Sequence, residues 1–152
     1  MLLEEKFSVK ASIEKVWDFL LDAPKLASCV PGCEGVEALD ENTYLTSIKA
    51  KVGPISAKFK IRLTITEKEP PHRLFTTGKG EDSGMASSLV SKNEIKLNAL
   101  SANETEIQYR SEVSVLGTLG KFGEGIFRKK AKEVGQQFAQ ALKSKIEAGT
   151  KP

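Results

Sequence analysis

Two cysteines, Cys29 and Cys33, flank Val30-Pro31-Gly32, and the single histidine, His72, follows Pro70-Pro71. Thiolate and imidazole are the side chains that hold zinc, and a structural zinc site needs four such ligands. This chain offers three at most and no second cysteine pair, so the spacing reads as two reduced thiols beside a turn. Catalysis is equally hard to assemble. His72 has Pro71 and Arg73 as neighbours and no evident partner, and Glu81-Asp82 reads as the solvated tip of a turn. No Gly-x-Ser-x-Gly elbow, phosphate loop or dinucleotide fingerprint occurs. The sequence therefore predicts no catalytic residue, no metal and no cofactor. What remains is a concentration of positive charge, Lys121, Arg128, Lys129, Lys130 and Lys132, beside Phe122 and Phe127. Such a cluster is either the solvated face of a helix or a basic, aromatic-flanked patch that meets an anionic membrane or partner.

Positioning these residues falls to one long helix and the strands before it. Leu119, Phe122, Ile126, Phe127, Ala131, Val134, Phe138, Leu142 and Ile146 recur at steps of mainly three to five residues, which predicts an amphipathic helix over 118–146. Gly117, Gly120, Gly123 and Gly125 crowd its start, and an interior glycine costs a helix about 1 kcal/mol, so that end is expected to be soft. Upstream, Glu5, Phe7 and Val9 alternate with polar residues as a first strand. Ser12 caps a helix carrying Ile13, Val16, Trp17 and Leu20, and Pro24 opens a second short helix through Val30.

From Cys33 the period changes to two. Val36–Leu39 is a brief strand; Tyr44, Thr46, Ile48, Ala50 and Val52 share a face of the next; Ala57, Phe59, Ile61, Leu63 and Ile65 alternate with basic and hydroxyl residues in a third. Arg73–Gly80 is another strand, ending before a turn at Glu81-Asp82-Ser83-Gly84. In 85–100, Ala86, Ser88 and Val90 share one parity while Ile95 and Leu97 have the other, which a bulge near Ser91–Asn93 would reconcile. Ile107–Val115 is the last strand. The expected fold is α+β: a seven-stranded, curved antiparallel sheet wrapped around a long C-terminal helix, with two short helices between strands 1 and 2. A single domain is expected over 1–148, with 149–152 as a short tail.

The 152 residues are 28% charged and 39% hydrophobic with a net charge of +3. That is an ordinary globular balance, and the charge is too slight to argue nucleic-acid binding. No apolar run approaches the ~18 residues of a membrane span and no secretory h-region follows Met1, so the cytoplasm is the expected compartment.

The side chains expected to face the helix are small: Ala50, Ala57, Gly78, Gly80, Ala86 and Ser88. Since interiors are close-packed, either the helix sits very near the sheet or a cavity remains. A curved sheet does not follow a long helix everywhere, which favours the cavity. Its expected lining is Ile48, Ala50, Phe59, Ile61, Leu63, Ala86, Ser88 and Tyr109 from the sheet. Phe122, Ile126, Phe127 and Val134 complete it from the helix.

Several segments resemble one family. Val16-Trp17-Asp18-Phe19-Leu20-Leu21-Asp22, Cys29-Val30-Pro31-Gly32-Cys33-Glu34, Lys51-Val52-Gly53-Pro54-Ile55, Gly78-Lys79-Gly80, Val115-Leu116-Gly117 and Leu119-Gly120-Lys121-Phe122-Gly123 are similar to the CoxG family of carbon monoxide dehydrogenase, along nearly the whole chain. The resemblance implies the START-like (SRPBCC) helix-grip fold, which holds hydrophobic ligands between sheet and C-terminal helix. It also implies a non-catalytic role accessory to a molybdenum hydroxylase of the carbon monoxide dehydrogenase type, with a lipid or quinone-like molecule as ligand. Many relatives continue into an apolar C-terminal anchor, whereas this sequence ends at Gly149-Thr150-Lys151-Pro152. The implied membrane contact is therefore transient, through the basic helix at the inner membrane face. A recruitment adaptor without a ligand and a stand-alone lipid-binding protein are the alternatives.

Overall fold

The computed structural model describes residues 2–52, 55–82, 87–117 and 124–150. In chain order they form β1 (Leu2–Val9), α1 (Ile13–Leu21), α2 (Ala23–Ala27), β2 (Cys33–Asp40), β3 (Thr43–Val52), β4 (Ile55–Glu69), β5 (Arg73–Asp82), β6 (Ser87–Ser101), β7 (Glu104–Gly117) and α3 (Glu124–Thr150). The strands make one antiparallel sheet in the order β1-β7-β6-β5-β4-β3-β2. This is the expected helix-grip architecture: a curved seven-stranded sheet with a long C-terminal helix on its concave side.

Local chemistry explains the element ends. The Ser12 hydroxyl accepts from Lys15 N at 3.3 Å at the start of α1, and an Asp22 carboxylate oxygen accepts from Lys25 N at 3.2 Å at the start of α2. The second helix is shorter than predicted. It stops at Ala27, where Ser28 caps it and its hydroxyl donates to the Lys25 carbonyl at 2.6 Å. Among the described residues the long helix runs over Glu124–Thr150, so the expected tail is in part helix, and the predicted first turns at 118–123 lie outside the described residues. Gly117 ends β7 at φ +87°, a left-handed turn that a glycine makes without strain. Gly120 and Gly123 lie outside the described residues.

Between the register shifts in β2, at Ile65–Glu67 of β4 and beyond Ala99 of β6, the sheet faces alternate, and β6 corrects the sequence reading. Its pairing with β5 is uninterrupted from Ser87 to Lys96, and its pairing with β7 shifts only beyond Ala99. No bulge occurs at Ser91–Asn93. Ser87, Leu89, Ser91, Asn93, Ile95 and Leu97 all point to the concave side, whereas Ser88 and Val90 point away, Val90 being 42% exposed. The physical reason is that Ser91 and Asn93 are polar yet inward, satisfied by one another, so polarity does not mark the outer face here. Glu81 and Asp82 likewise belong to β5 and not to a turn; Asp82 is buried, and its Oδ2 accepts from Lys58 N at 2.9 Å.

The main core sits at one end of the grip. Val16, Trp17 and Leu20 of α1 pack with Leu74, Ile95, Leu97 and Ile107 of the sheet and with Leu142 and Ile146 of α3. A second, smaller group lies towards the other end, where Ala57 and Phe59 meet Ile61, Leu89, Val115 and Phe127.

Candidate functional site

The two apolar groups leave a middle zone on the concave face. Register places its side chains in rows across the strands. Leu74, Ile95, Tyr109 and Glu5 form one row, then Thr76, Asn93 and Ser111, then Leu63, Gly78, Ser91 and Val113, then Thr46, Ile61, Gly80, Leu89 and Val115. Among the described residues the α3 backbone runs chiefly along β1, with a smaller approach to β3. Beneath it, Ile48, Ile61, Leu63, Leu89, Val113 and Val115 remain half-buried although they face the helix. Apolar side chains on an inner face that stay partly accessible are the candidate lining of a cleft between sheet and helix.

The helix is held firmly at its C-terminal half. Leu142 and Ile146 are buried, Lys145 Nζ donates to the carbonyl and hydroxyl of Ser28 at 2.9 and 2.8 Å, and Glu147 Oε2 accepts from Lys10 N at 2.9 Å. Tyr109 and Phe138 meet as tilted rings with centroids 5.9 Å apart. Towards its N-terminal end, Phe127 rests on the Ala57–Phe59 group. The inward stripe there is Phe127, Lys130, Ala131 and Val134, all half-buried.

Across the floor of the cleft runs a polar strip that hydrophobic patterning did not predict. Asn93 Nδ2 donates to Thr76 Oγ1 at 3.1 Å and to Ser91 Oγ at 3.2 Å, and Asn93 Oδ1 accepts from Ser111 Oγ at 2.6 Å. Burial pushes the Tyr109 phenol above its usual range, with Ser111 acting in the opposite direction. The phenol therefore keeps its hydrogen at neutral pH. The signal was present in the sequence: Ser91 and Asn93 share the parity of Ile95 and Leu97.

Small residues were expected to leave space, and at Gly78 and Gly80 neighbours use part of it. A β-carbon at Gly78 would lie 2.5 Å from Ser91 Oγ and 3.3 Å from Leu63 Cδ2, and one at Gly80 would lie 2.8 Å from Ile61 Cγ1. These glycines admit the side chains of adjacent strands.

Of the predicted lining, Phe59, Ile61 and Phe127 come together, Ile48 and Leu63 adjoin them on the sheet, and Val134 lies further along the helix stripe. Tyr109 joins the main core, with Phe138. Two residues are misplaced. Ser88 is on the convex face through the parity error, and Ile126 is 40% exposed because it precedes Phe127 on the helix and points off the inward stripe. Ala86 and Phe122 lie outside the described residues, as does the side chain of Ala50.

The sequence profile of the carbon monoxide dehydrogenase CoxG family matches residues 6–147. The chain belongs to this family. Solved structures share its fold. A conserved protein from Geobacillus kaustophilus superposes with a TM-score of 0.88 at 20% identity, over 98% of this chain and 97% of that one. A START superfamily protein from Mycobacterium smegmatis gives 0.78 at 16% identity, over 98% and 99%. The Zhui aromatase/cyclase from Streptomyces sp. R1128 gives 0.73 at 14% identity, over 99% and 96%. Comparison with curated proteins returns no match.

In this CoxG-family chain the basic cluster divides. Arg128, Lys129 and Lys132 are exposed, Lys130 is half-buried on the inward stripe, and Lys121 lies outside the described residues. Cys29 is 2% exposed, its thiol pushed up by burial against the pull of Lys145, while Cys33 is half-buried; both are free thiols. His72 is exposed; its backbone N–H donates to the Glu69 carbonyl and its carbonyl accepts from Leu97 N, both at 2.7 Å. Among the described residues no three His, Cys, Asp or Glu gather as a metal site, and no helix is long and apolar enough to cross a membrane.

Proposed function

We propose that this CoxG-family protein is a non-catalytic carrier that holds a lipid or quinone-like molecule between sheet and α3, in the service of a molybdenum hydroxylase of the carbon monoxide dehydrogenase type. The observation that carries the reading is the set of apolar side chains under α3, Ile61, Leu63, Leu89 and Val113 among them, which face the helix and remain accessible. Leaving such surface unfilled forgoes about 25 cal/mol for each Å² not removed from water, a loss that an apolar ligand reverses. Family membership supports the link to the dehydrogenase. An aromatase/cyclase shares the fold, so the argument against catalysis rests on the residues: among the described ones, the hydrogen bonds of the cleft floor join hydroxyls and one amide, and no bond of that network sets the Glu5 carboxylate as a base on a hydroxyl. Arg128, Lys129 and Lys132 are the residues through which this reading has the carrier meet an anionic membrane.

Native mass spectrometry with solvent extraction of the purified protein is the test. A carrier retains an apolar molecule near one equivalent, and delipidated protein takes up an added one. A recruitment adaptor is the second reading, favoured by the way Ser91, Leu63 and Ile61 occupy the space beside Gly78 and Gly80. Protein that retains nothing and takes up nothing belongs to that class.

A further inference from the structure

The convex face of the sheet, turned away from α3, carries a line of side chains that the cleft does not use. Register sets Leu45, Arg62, Lys79 and Val90 side by side on β3, β4, β5 and β6, and Leu116 of β7 lies diagonally beyond Val90. Two rows along, Lys49 stands opposite Lys58. All four cations are exposed, as are Val90 at 42% and Leu116 at 62%. Part of the charge is answered within the protein: Lys58 reaches Glu34 at 3.5 Å, and the Asp40 carboxylate feels Arg62. Among the described residues, Lys49 and Lys79 hold no ion pair. Like charges set directly opposite destabilise a sheet, so the Lys49–Lys58 and Arg62–Lys79 pairs cost the fold something that an acidic neighbour turns into attraction. Exposed aliphatic side chains with a charged flank are also the anatomy of a protein interface, an apolar centre beside a polar rim.

We propose that the convex face docks a protein partner whose surface sets carboxylates beside a small apolar patch. The carboxylates face Arg62, Lys79 and Lys49, and the apolar patch covers Val90 and Leu116. This surface lies across the sheet from the cleft and from Arg128, Lys129 and Lys132, so it goes beyond the carrier reading and does not depend on it. A bilayer fits the face less well than a protein does. Glu34, Glu37 and Glu81 stand exposed among the cations and oppose lipid phosphates, whereas a protein surface matches both signs position by position. A convex sheet also meets a flat bilayer along a narrow strip only. A partner docked here leaves the cleft and the outer side of α3 open.

The test titrates the full-length, isotope-labelled protein with a synthetic peptide repeating Leu-Glu-Glu and reads the site from backbone amide shifts. Shifts are expected on Arg62, Lys79, Val90 and Leu116 rather than on Arg128, Lys129 and Lys132, although the helix offers cations too. A peptide with serine in place of leucine should bind roughly fivefold more weakly, through loss of apolar cover. One with glutamine in place of glutamate should bind about tenfold more weakly. Lys49→Ser with Lys79→Ser should weaken the acidic peptide about three- to tenfold without lowering Tm, since like-charge opposition is relieved. Weaker binding at an undiminished Tm is not unfolding, and the shift map of the unmodified protein decides the matter even if the variant fails to fold. Shifts confined to α3, equal binding of the leucine and serine peptides, or no binding at all overturn the docking face. Phosphatidylglycerol bicelles that shift the same convex amides as strongly as the peptide assign the face to the membrane and overturn it as well. Ligand retention, which tests the carrier reading, is untouched by any of these outcomes.

Discussion

Thr105 shows how much one hydroxyl fixes. It is fully buried, and its Oγ1 donates to the Ala11 carbonyl at 2.9 Å, tying the corner between β1 and α1 to β7. Thr105→Val keeps the shape and orphans that carbonyl, so unfolding in urea is expected to show about 1–3 kcal/mol lost with an unchanged m-value. Tyr109 makes a pH-dependent contribution. Burial raises the phenol above its ordinary value of about 10, so the folded chain binds that proton more tightly than the unfolded chain. The associated stability is complete below pH about 10 and is lost as pH climbs through the raised value. Tyr109→Phe should therefore flatten the alkaline fall in Tm, and an alkaline limb identical to that of the unmodified protein would assign the fall to other groups.

Among the elements, β5 and β6 carry the tightest constraint. A methyl at Gly78 meets Ser91 Oγ at 2.5 Å, so Gly78→Ala is expected to cost about 1–3 kcal/mol by overpacking. Removing that oxygen should recover part of the loss, since Leu63 Cδ2 still lies 3.3 Å away. A double-mutant cycle with Ser91→Ala measures the coupling, and strictly additive losses would mean the two positions do not touch. The same pair explains what could be read from sequence and what could not. Periodicity located the strands and the long helix because apolar side chains recur at two and 3.6 residues. It failed in β6, where Ser91 and Asn93 face inward and satisfy one another; binary patterning scores them as solvent-facing. The helix stripe was legible from Phe127 to Ile146, yet Ile126 was drawn into it merely by being apolar. Lys130 was placed with the surface cations although its position falls on the stripe. The cleft was inferred from small residues, but the glycines at 78 and 80 accommodate their neighbours, and the accessible apolar side chains are the better witness. The polar strip needed register between three strands, which no single strand's pattern contains.

Over the whole molecule, the convex face of the sheet mixes ion pairs with like-charge neighbours, and even among the middle strands Lys58 reaches Glu34 at 3.5 Å and Lys60 stands opposite Glu81. Around β1, β7 and the near end of β6, cations meet acids, as in Lys6–Glu106 at 3.6 Å and Lys96–Glu94 at 3.5 Å. Across β3, β4 and β5, Lys49 stands opposite Lys58 and Arg62 opposite Lys79, all exposed. Like charges directly opposite destabilise a sheet, so Lys79→Glu is expected to raise stability by about 0.2–1 kcal/mol, with the gain shrinking as salt screens it. A Tm that falls in low salt would show that the two side chains splay apart. Connectivity is the other property of the whole chain. Leu2 pairs with Glu112 and Val9 with Thr105, so β1 waits for β7. Closing a loop of that length costs on the order of 4 kcal/mol of chain entropy before any contact repays it. Until then Val16, Trp17 and Leu20 have neither β7 nor α3 to cover them. The middle strands can zip up as a meander during translation, but the grip itself closes only once β7 and α3 have been made. Until that point the nascent chain carries α1 as an uncovered apolar helix, which makes it a natural client for chaperones that wait at the exit tunnel.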